Sequence, residues 1–385
     1  MISDYFEKSF GRKPTNTAYA PGRIEFIGNH TDYNGGEVLG AAVNRGITVA
    51  VAPNNLEVIR FASPFIEGII EIPVEGFTKQ EGSASSANYP LGLVSIMRDE
   101  GYPVTGGFDF ADSSNLPSGA GLSSSAAIEL ATAYALAGMH GLTIDRKKMA
   151  LMGRRAENEF VGMPCGILDQ GVSAFGHLDS LVHIDCFTEE FSTVAMPAGC
   201  HFWIFNTNKK HALVDGSYED RFRECSEAFE ILKAGGQDAA CLAHIEPDAV
   251  RNAAAELGEV RMKRALHVTE ENRRVRQAVT SLAQGDLQKV GQLLCASHNS
   301  SQHLFENSIA ELDYLAKHIA PLKGVYGARL TGGGWGGAVM ALTDETFSDQ
   351  NEDLQKVLEA YHKEYGLEST VFHATAGDGA TLLGE

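Results

Sequence analysis

Long hydrophobic runs and a secretory signal are both missing from this sequence. No segment approaches the roughly 20 consecutive apolar residues that a membrane-spanning helix needs, although hydrophobic residues make up 44% of the chain. The sequence starts MISDYFEK, with acidic side chains where a secretory signal has a basic start and then an apolar stretch. We therefore predict a cytoplasmic protein without a membrane anchor.

Cysteine is scarce, and basic residues are outnumbered by acidic ones. The six cysteines lie far apart with no CxxC pair, which argues against a zinc site or a redox motif and predicts free, buried thiols in a reducing compartment. The formal net charge is −19. A charge of this sign repels phosphate backbones and anionic lipid, so neither nucleic acid nor membrane is expected as a partner. An anionic substrate would need a local cationic or dipolar site.

The length of 385 residues is enough for two domains, because single cores stop growing at about 250–300 residues. Hydrophobic periodicity predicts a mixed helix and strand protein. We place an N-terminal domain at residues 1–190 and a C-terminal domain at 191–385. Strands are predicted at 38–43, 47–51, 181–184, 202–205, 339–342 and 370–372, and helices at 83–99, 124–140, 149–160 and, with breaks at glycines, from about 218 to 319.

A loop of small residues, LPSGAGLSSSAA at 116–127, runs directly into a helical pattern. We call it the phosphate loop. Glycines allow the backbone to approach a phosphate closely, serines add hydroxyl donors, and a helix N-terminus supplies free N–H groups and a positive dipole end. The loop lacks the GK[ST] ending of a Walker motif. Taken alone, it also fits an ordinary glycine turn with a serine cap.

Two further motifs favour the interpretation of residues 116–127 as a phosphate-binding loop. Residues 21–36, PGRIEFIGNHTDYNGG, bring Arg, Asn, His and Asp close together between glycine turns, a set that can surround a polyhydroxylated ligand. The alternative is a solvated loop, which we favour for Thr31 and Asn34 taken alone. Residues 330–338, LTGGGWGGA, hold five glycines in six positions. They predict either a hairpin or a backbone pressed against a ligand or another loop.

Together these motifs resemble the GHMP kinase superfamily, and residues 21–36 resemble the galactokinase signature. The similarity continues through RAENEFVGMPCGILDQ at 155–170 and covers nearly the whole chain. The resemblance implies an α+β, two-domain GHMP kinase fold with the active site in the cleft between domains. It also implies an ATP- and Mg²⁺-dependent sugar 1-kinase, which converts galactose and ATP to galactose 1-phosphate and ADP.

Carried over position by position, the resemblance implies a role for each motif. Asp169 is the implied catalytic base, or the group that only orients the hydroxyl, and Arg23 is the cation that steadies the transferring phosphoryl group. Ser125 and Glu157 are the implied Mg²⁺ ligands, although Glu157 alone would be read as part of a solvated helix face. The implied sugar-binding residues are Asn29, His30, Thr31, Asp32, Gly166 and Tyr218, and the implied ATP-binding residues are Gly119, Ala120, Gly121, Leu122, Ser123, Ser124 and Ser125.

Three departures from the galactokinase pattern leave the substrate open. Galactokinases usually carry Asn where this chain has Glu25 and Glu where it has Asn29, the position that meets the sugar's 6-hydroxyl. An amide at Asn29 could tolerate a 6-substituent or a uronate. Ser86 stands where related kinases often have an adenine-stacking tryptophan, so the nucleotide preference is open. Residues 303–308 replace an acidic stretch of the family, with no role that we can assign.

The alternative substrates are N-acetylgalactosamine, arabinose and a uronic acid. A protein of another class, a regulator that binds sugar and ATP without turnover, is also compatible with the resemblance. The intact Ser125, Glu157 and Asp169 argue against a regulator, since a sensor need not retain them. The sequence leaves the oligomeric state open, a monomer included.

Overall fold

The computed structural model describes residues 2–209 and 216–384 and shows an α+β fold built on two sheets. In chain order the strands are β1 (Asn16–Ile27), β2 (Glu37–Pro53), β3 (Val58–Ala62), β4 (Ile69–Pro73), β5 (Phe108–Ser114), β6 (Ser180–Asp185), β7 (Glu190–Ala195), β8 (His201–Asn206), β9 (Val325–Thr331), β10 (Ala338–Thr343), β11 (Thr370–Ala374) and β12 (Thr381–Leu383). The large sheet has the order β12-β1-β2-β5-β3-β4, with β6 paired to β2 and β7 paired to β6. The small sheet has the order β11-β8-β10-β9 and is antiparallel.

The α-helices are α1 (Ile2–Phe10), α2 (Asn88–Asp99), α3 (Ser124–Met139), α4 (Arg146–Arg155), α5 (Leu168–Phe175), α6 (Ser217–Ala234), α7 (Pro247–Asn252), α8 (Ala254–Ala283), α9 (Leu287–Ser300), α10 (Ala310–Ile319) and α11 (Glu352–Tyr365). The predicted helix at 124–140 and the largely helical region from 218 to 319 are present. The first five residues of the predicted helix at 83–99 belong instead to a 3₁₀ turn at residues 82–87. Within the ranges described, every helix is too short or too polar to cross a bilayer.

Residues 38–43 and 47–51, predicted as two strands, belong to one 17-residue strand, β2. The chain does not turn between them because β1 pairs with β2 on both sides of that stretch, with Ile47 opposite Ala20 and Ala42 opposite Arg23. The pairing is irregular there, because one residue of β1 between Pro21 and Arg23 faces three residues of β2 between Ala42 and Gly46, and the extra residues of β2 form a bulge. A bulge of this kind re-aims the side chain beside it.

The active-site motifs lie where the two sheets share a hydrophobic core. That core combines Ile24 and Leu39 of the large sheet with Phe202 and Met340 of the small one. Each sheet also has a core of its own, under α3 and α5 in the large sheet and under α10 and α11 in the small one. The proposed boundary at residue 190 remains a prediction, and β7 and β12, which follow it, both pair within the large sheet.

The cysteines are free thiols, as predicted. Only Cys225 is fully buried, however, and the other five are partly exposed. The prediction of burial was therefore wrong for most of them. The reason is that four of the five lie in loops or near the ends of strands and helices, where the chain comes to the surface.

Candidate active site

Arg23 and Asp169 form an ion pair at the centre of the site. Arg23 Nε donates to Asp169 Oδ1 at 2.6 Å, and a guanidinium nitrogen of Arg23 lies 2.6 Å from the same oxygen. The hydroxyl of Ser123 donates to the other carboxylate oxygen. Arg23 Nη1 also donates to the carbonyl oxygen of Gly121 at 2.6 Å. Strand β1 and the first turn of α5 therefore bring the predicted catalytic pair directly against the phosphate loop.

The phosphate loop forms one side of a cavity of about 620 Å³. Helix α3 begins at Ser124, and Ser123 before it adopts a left-handed conformation with φ of 52°. All seven predicted ATP-binding residues, Gly119 to Ser125, line this cavity. The strand face and the α2 region supply the other walls, among them Phe61, Ser63, Ser86, Tyr89, Phe110 and Asp112. We call this space the nucleotide cavity.

Ser125 and Glu157, the predicted metal ligands, lie close together, and the interaction with Ser125 opposes the rise in the pKa of Glu157. Glu157 lies on a π-helical turn, Ala156–Val161, that continues α4. Burial, and then the charge of Asp169, raises the pKa of Glu157 to about 7. A hydroxyl and a carboxylate are the hard oxygen ligands that Mg²⁺ takes, with phosphates and waters completing its shell. In the part of the chain that the structure describes, no three His, Cys, Asp or Glu side chains converge on a metal position.

A second cavity of about 180 Å³ lies on the other side of the Arg23–Asp169 pair. We call it the sugar cavity. Every predicted sugar-binding residue except Thr31 lines it, together with both catalytic residues and Glu157. Residues that the sequence analysis did not place in the site also line it: Glu25, Met163, Pro164, Cys165, Leu168 and Gly333.

Thr31 serves the backbone of the loop. Its hydroxyl lies 2.7 Å from the carbonyl oxygen of Gly28 and 2.8 Å from that of Glu37, and its side chain is fully buried. The structure therefore places Thr31 outside the sugar cavity, in the turn-stabilising role favoured for this residue type taken alone.

Asp32 points into the sugar cavity from the 3₁₀ turn at Asp32–Asn34. Burial, and then the charges of Asp169 and Glu25, raises the pKa of Asp32 to about 7. Backbone N–H groups of Tyr33 and Leu168 oppose this shift by donating to the carboxylate. Among the described residues, no basic side chain forms an ion pair with Asp32. The cavity therefore holds a hydrogen-bond acceptor, the carboxylate of Asp32, whose charge is not neutralised by a partner.

His30 forms the cavity wall in its neutral form, because burial lowers its pKa to about 3. Its Nε2 lies 2.9 Å from the carbonyl oxygen of Gly333, which can only accept, so the proton is on Nε2. Its Nδ1 then accepts from the hydroxyl of Tyr33 at 2.9 Å. The ring stacks on Phe305 at 4.5 Å and contacts Tyr218 at 5.1 Å. These contacts hold one edge of the cavity rigid.

The amide of Asn29 is fully used within the protein. Its Nδ2 donates to Glu25 Oε2 at 3.2 Å and to the carbonyl oxygen of Gly332 at 3.0 Å. Its Oδ1 accepts from Ser301 at 3.0 Å and from Asn307 at 2.8 Å. An amide offers two donors and two acceptor positions, so Asn29 lines the cavity with no hydrogen-bonding group left for a ligand.

The glycine-rich loop at 332–337 presses its backbone against other loops, one of the two alternatives for this motif. A Cβ on Gly334 would lie 2.1 Å from the carbonyl oxygen of Asn307, and one on Gly332 would lie 3.3 Å from that of Gly121. The loop thus joins the phosphate loop to the sugar cavity. Only residues without a side chain fit this close approach.

Comparisons with known proteins agree with this geometry. Residues 4–53 match the model of the galactokinase galactose-binding signature, residues 88–177 the GHMP kinases N-terminal domain, and residues 278–366 the GHMP kinases C-terminal domain. Galactokinase of Glaesserella parasuis serovar 5 is 37% identical over 383 residues, covering 98% of this chain and 97% of that protein. Galactokinase of Staphylococcus carnosus is 35% identical with the same coverage.

Solved structures show the same relationship. Lactococcus lactis galactokinase complexed with galactose superimposes with a TM-score of 0.94 at 31% identity, covering 99% of each chain. A mevalonate kinase matches with a TM-score of 0.64 at 18% identity, over 93% of this chain and 98% of that one, which shows the fold alone. The predicted fold class and family are confirmed. The chain belongs to the galactokinase family of the GHMP kinases.

Proposed function

We propose that this enzyme transfers the γ-phosphoryl group of ATP to the anomeric hydroxyl of galactose, giving galactose 1-phosphate and ADP. The observation that carries the proposal is the position of the Arg23–Asp169 pair. It lies between a cavity lined by the phosphate loop and a smaller cavity lined by polar groups. Phosphoryl transfer needs this arrangement of donor, acceptor and charge, because its catalysis is mostly positioning and electrostatic stabilisation.

In this mechanism each residue has a defined task. Asp169 accepts a hydrogen bond from the sugar hydroxyl, and takes its proton as the bond to phosphorus forms. Arg23 neutralises charge on the transferring group from beside the phosphate loop. Ser125 and Glu157 would hold Mg²⁺, which when bound neutralises charge on the β- and γ-phosphates. Asp32 positions the sugar, and the ring of His30 forms the cavity wall beside it. We place this reaction in the cytoplasm, where ATP is available.

The first experiment measures ADP release with Mg²⁺, ATP and a panel of free sugars: galactose, N-acetylgalactosamine, glucose, arabinose and galacturonate. We expect strong turnover with galactose, and ³¹P NMR of the product should show a sugar 1-phosphate. If only another sugar is turned over, that sugar is the substrate in place of galactose, and the proposed phosphoryl transfer still holds. Binding of galactose and ATP without turnover of any sugar would overturn the proposal in favour of a regulator.

A further inference from the structure

A buried carboxylate that the mechanism does not use lies behind Glu157. Glu129 is on the second turn of α3, and its side chain is fully buried. Its Oε2 accepts from Gln170 Nε2 at 3.0 Å. The same nitrogen donates to Glu157 Oε2 at 2.7 Å. One amide therefore bridges the two carboxylates, and both of its hydrogens are used.

Two buried oxygens in this group lack a partner. Glu129 Oε1 and Gln170 Oε1 are both inaccessible and unpaired. An ionised Glu129 cannot provide a partner for either oxygen, because a carboxylate only accepts hydrogen bonds. A neutral Glu129 has an O–H donor, and the amide to which it is already bonded carries the other unpaired oxygen, so a proton on Glu129 supplies the donor that this group lacks. Burial, and then the charge of Glu157, raises the pKa of Glu129 well above its usual range. The polar groups that act on Glu129 are Glu157, Gln170 and Asp169, and no Lys or Arg among the described residues is one of them to offset a buried charge.

The surrounding structure is shaped for this pair. Gly153 of α4 faces it, and a Cβ there would lie 3.1 Å from Gln170 Cγ and 3.5 Å from Glu129 Oε2. Gln170 is also fully buried, directly after Asp169 in the first turn of α5. The amide is thus held by packing on one side and by two carboxylates on the other, which prevents its rotation.

We propose that Glu129 is a positioning residue for phosphoryl transfer, which fixes the Gln170 amide so that Gln170 orients Glu157 toward the bound cation. Gln170 and Cys165 both contact Oε2 of Glu157. The other oxygen of Glu157, Oε1, takes part in neither contact. Partners of this kind behind a ligand typically contribute about 10- to 100-fold in metal affinity. The inference rests on the proposed function, because it assigns a role toward the same metal site.

The test is the affinity of Mn²⁺, as a paramagnetic substitute for Mg²⁺, for the complex of the enzyme with ADP, measured by electron paramagnetic resonance. Glu129→Met, which keeps the length of the side chain and removes its hydrogen bonds, should weaken Mn²⁺ binding by about tenfold. Glu129→Gln should bind Mn²⁺ as the wild type does, because an amide can both donate to and accept from Gln170.

A double-mutant cycle shows whether Glu129 acts through Gln170. Gln170→Met should weaken Mn²⁺ binding at least as much as Glu129→Met does. The double variant should be no weaker than Gln170→Met, because the contribution of Glu129 is already lost once the amide is gone. Additive losses would overturn the proposal.

Controls separate this role from general stability and from charge. Thr132→Val removes another buried hydrogen bond of α3, from Thr132 to the carbonyl oxygen of Ile128, and should leave Mn²⁺ affinity unchanged even if it lowers the melting temperature. If Glu129→Gln and Glu129→Met weaken Mn²⁺ binding equally, the charge of Glu129 is what matters and the inference is overturned. Wild-type Mn²⁺ affinity in Glu129→Met would overturn it as well. Failure of the wild type itself to bind Mn²⁺ with ADP would overturn the metal site of the proposed function, and this inference with it.

Discussion

Gly166 lies directly over the carboxylate of Asp32. A Cβ on Gly166 would lie 2.0 Å from Asp32 Oδ2 and 2.2 Å from its Cγ. Real Cβ atoms do not approach other atoms this closely, so any side chain at 166 would displace Asp32 from the sugar cavity. The sequence analysis placed both residues in the sugar-binding set, and the structure gives Gly166 a specific task there.

Gly166→Ala should therefore weaken sugar binding. We expect the KM for galactose to rise at least about tenfold, equivalent to about 1.4 kcal/mol, while the KM for ATP changes little, because the phosphate loop is not touched. Gly216→Ala is the matched control, since a Cβ there meets nothing within 4 Å. An unchanged KM for galactose in Gly166→Ala would show that Asp32 does not position the sugar.

The raised pKa of Asp32 predicts a pH dependence of stability. The folded value of about 7 lies above the ordinary value of 3.8, so between these two values the unfolded state binds fewer protons than the folded state. Stability from this group is full below about pH 4 and falls as the pH rises toward about 7. Asp32→Asn should thus stabilise the ligand-free protein at pH 8, by on the order of 1 to 4 kcal/mol.

Urea unfolding of the wild type and of Asp32→Asn at pH 4 and pH 8 measures this effect. Glu157, whose pKa is also raised to about 7, contributes to both proteins, so the difference between them isolates Asp32. The stabilisation should be much smaller at pH 4 than at pH 8. A difference of the same size at both pH values would mean that the charge of Asp32 is not responsible.

Asp169→Asn should lower kcat by about 100- to 10,000-fold, the range that general base catalysis supplies. The amide keeps the size of the side chain and loses its charge and its ability to take a proton. Calorimetry should show ATP binding largely intact, because the proposed ATP-binding residues are those of the phosphate loop and do not include Asp169. Near-normal turnover would rule out Asp169 as the base.

Glu157→Gln should raise the Mg²⁺ concentration needed for half-maximal activity by at least about tenfold, because an amide is a weaker ligand than a carboxylate. Glu159→Gln is the matched control on the same π-helical turn. Glu159 is exposed and paired with Arg155 at 2.8 Å, so its loss should not change the titration. A Mg²⁺ titration that is the same in both variants would remove Glu157 from the metal site.

The motifs that are local in sequence could be predicted. The phosphate loop, Arg23 and Asp169 were recognisable because each stands in a short segment whose spacing carries the chemistry. The two halves of β2 were read as separate strands because Gly46 between them resembles a turn. Only the pairing of β2 with β1 and β5, which is not local, decides against that interpretation.

The walls of the two cavities could not be predicted. Phe61, Phe110 and Asp112 line the nucleotide cavity from strands β3 and β5. An alternating strand pattern shows that one face is covered, but it does not show whether a helix or a ligand covers it. The burial of Glu129 could not be predicted either, because a glutamate in a helix is usually exposed.

The exchanged pair Glu25 and Asn29 provides the last prediction. Glu25 pairs with the fully buried Arg329 at 3.0 Å, and Asn29 donates to the other oxygen of Glu25. Asn29→Glu would place two buried carboxylates together, and Glu25→Asn would leave Arg329 without its partner. Breaking a buried pair costs about 3 to 5 kcal/mol, so Glu25→Asn should lose stability by roughly this amount. Asn29→Glu should also lose stability, because it adds a buried carboxylate without a partner of its own.

The double variant Glu25→Asn, Asn29→Glu restores one carboxylate and one amide, and should recover much of the stability that each single change removes. Because the amide of Asn29 is saturated by protein groups, we expect the ratio of kcat/KM for galactose to that for galacturonate to stay within a few-fold of the wild type. That result would contradict the sequence-based hypothesis that Asn29 widens tolerance at C6. A large gain in selectivity for galactose would instead show that the side chain at position 29 contacts the C6 end of the sugar. The hydrogen bonds of that side chain would then have to rearrange when the sugar binds.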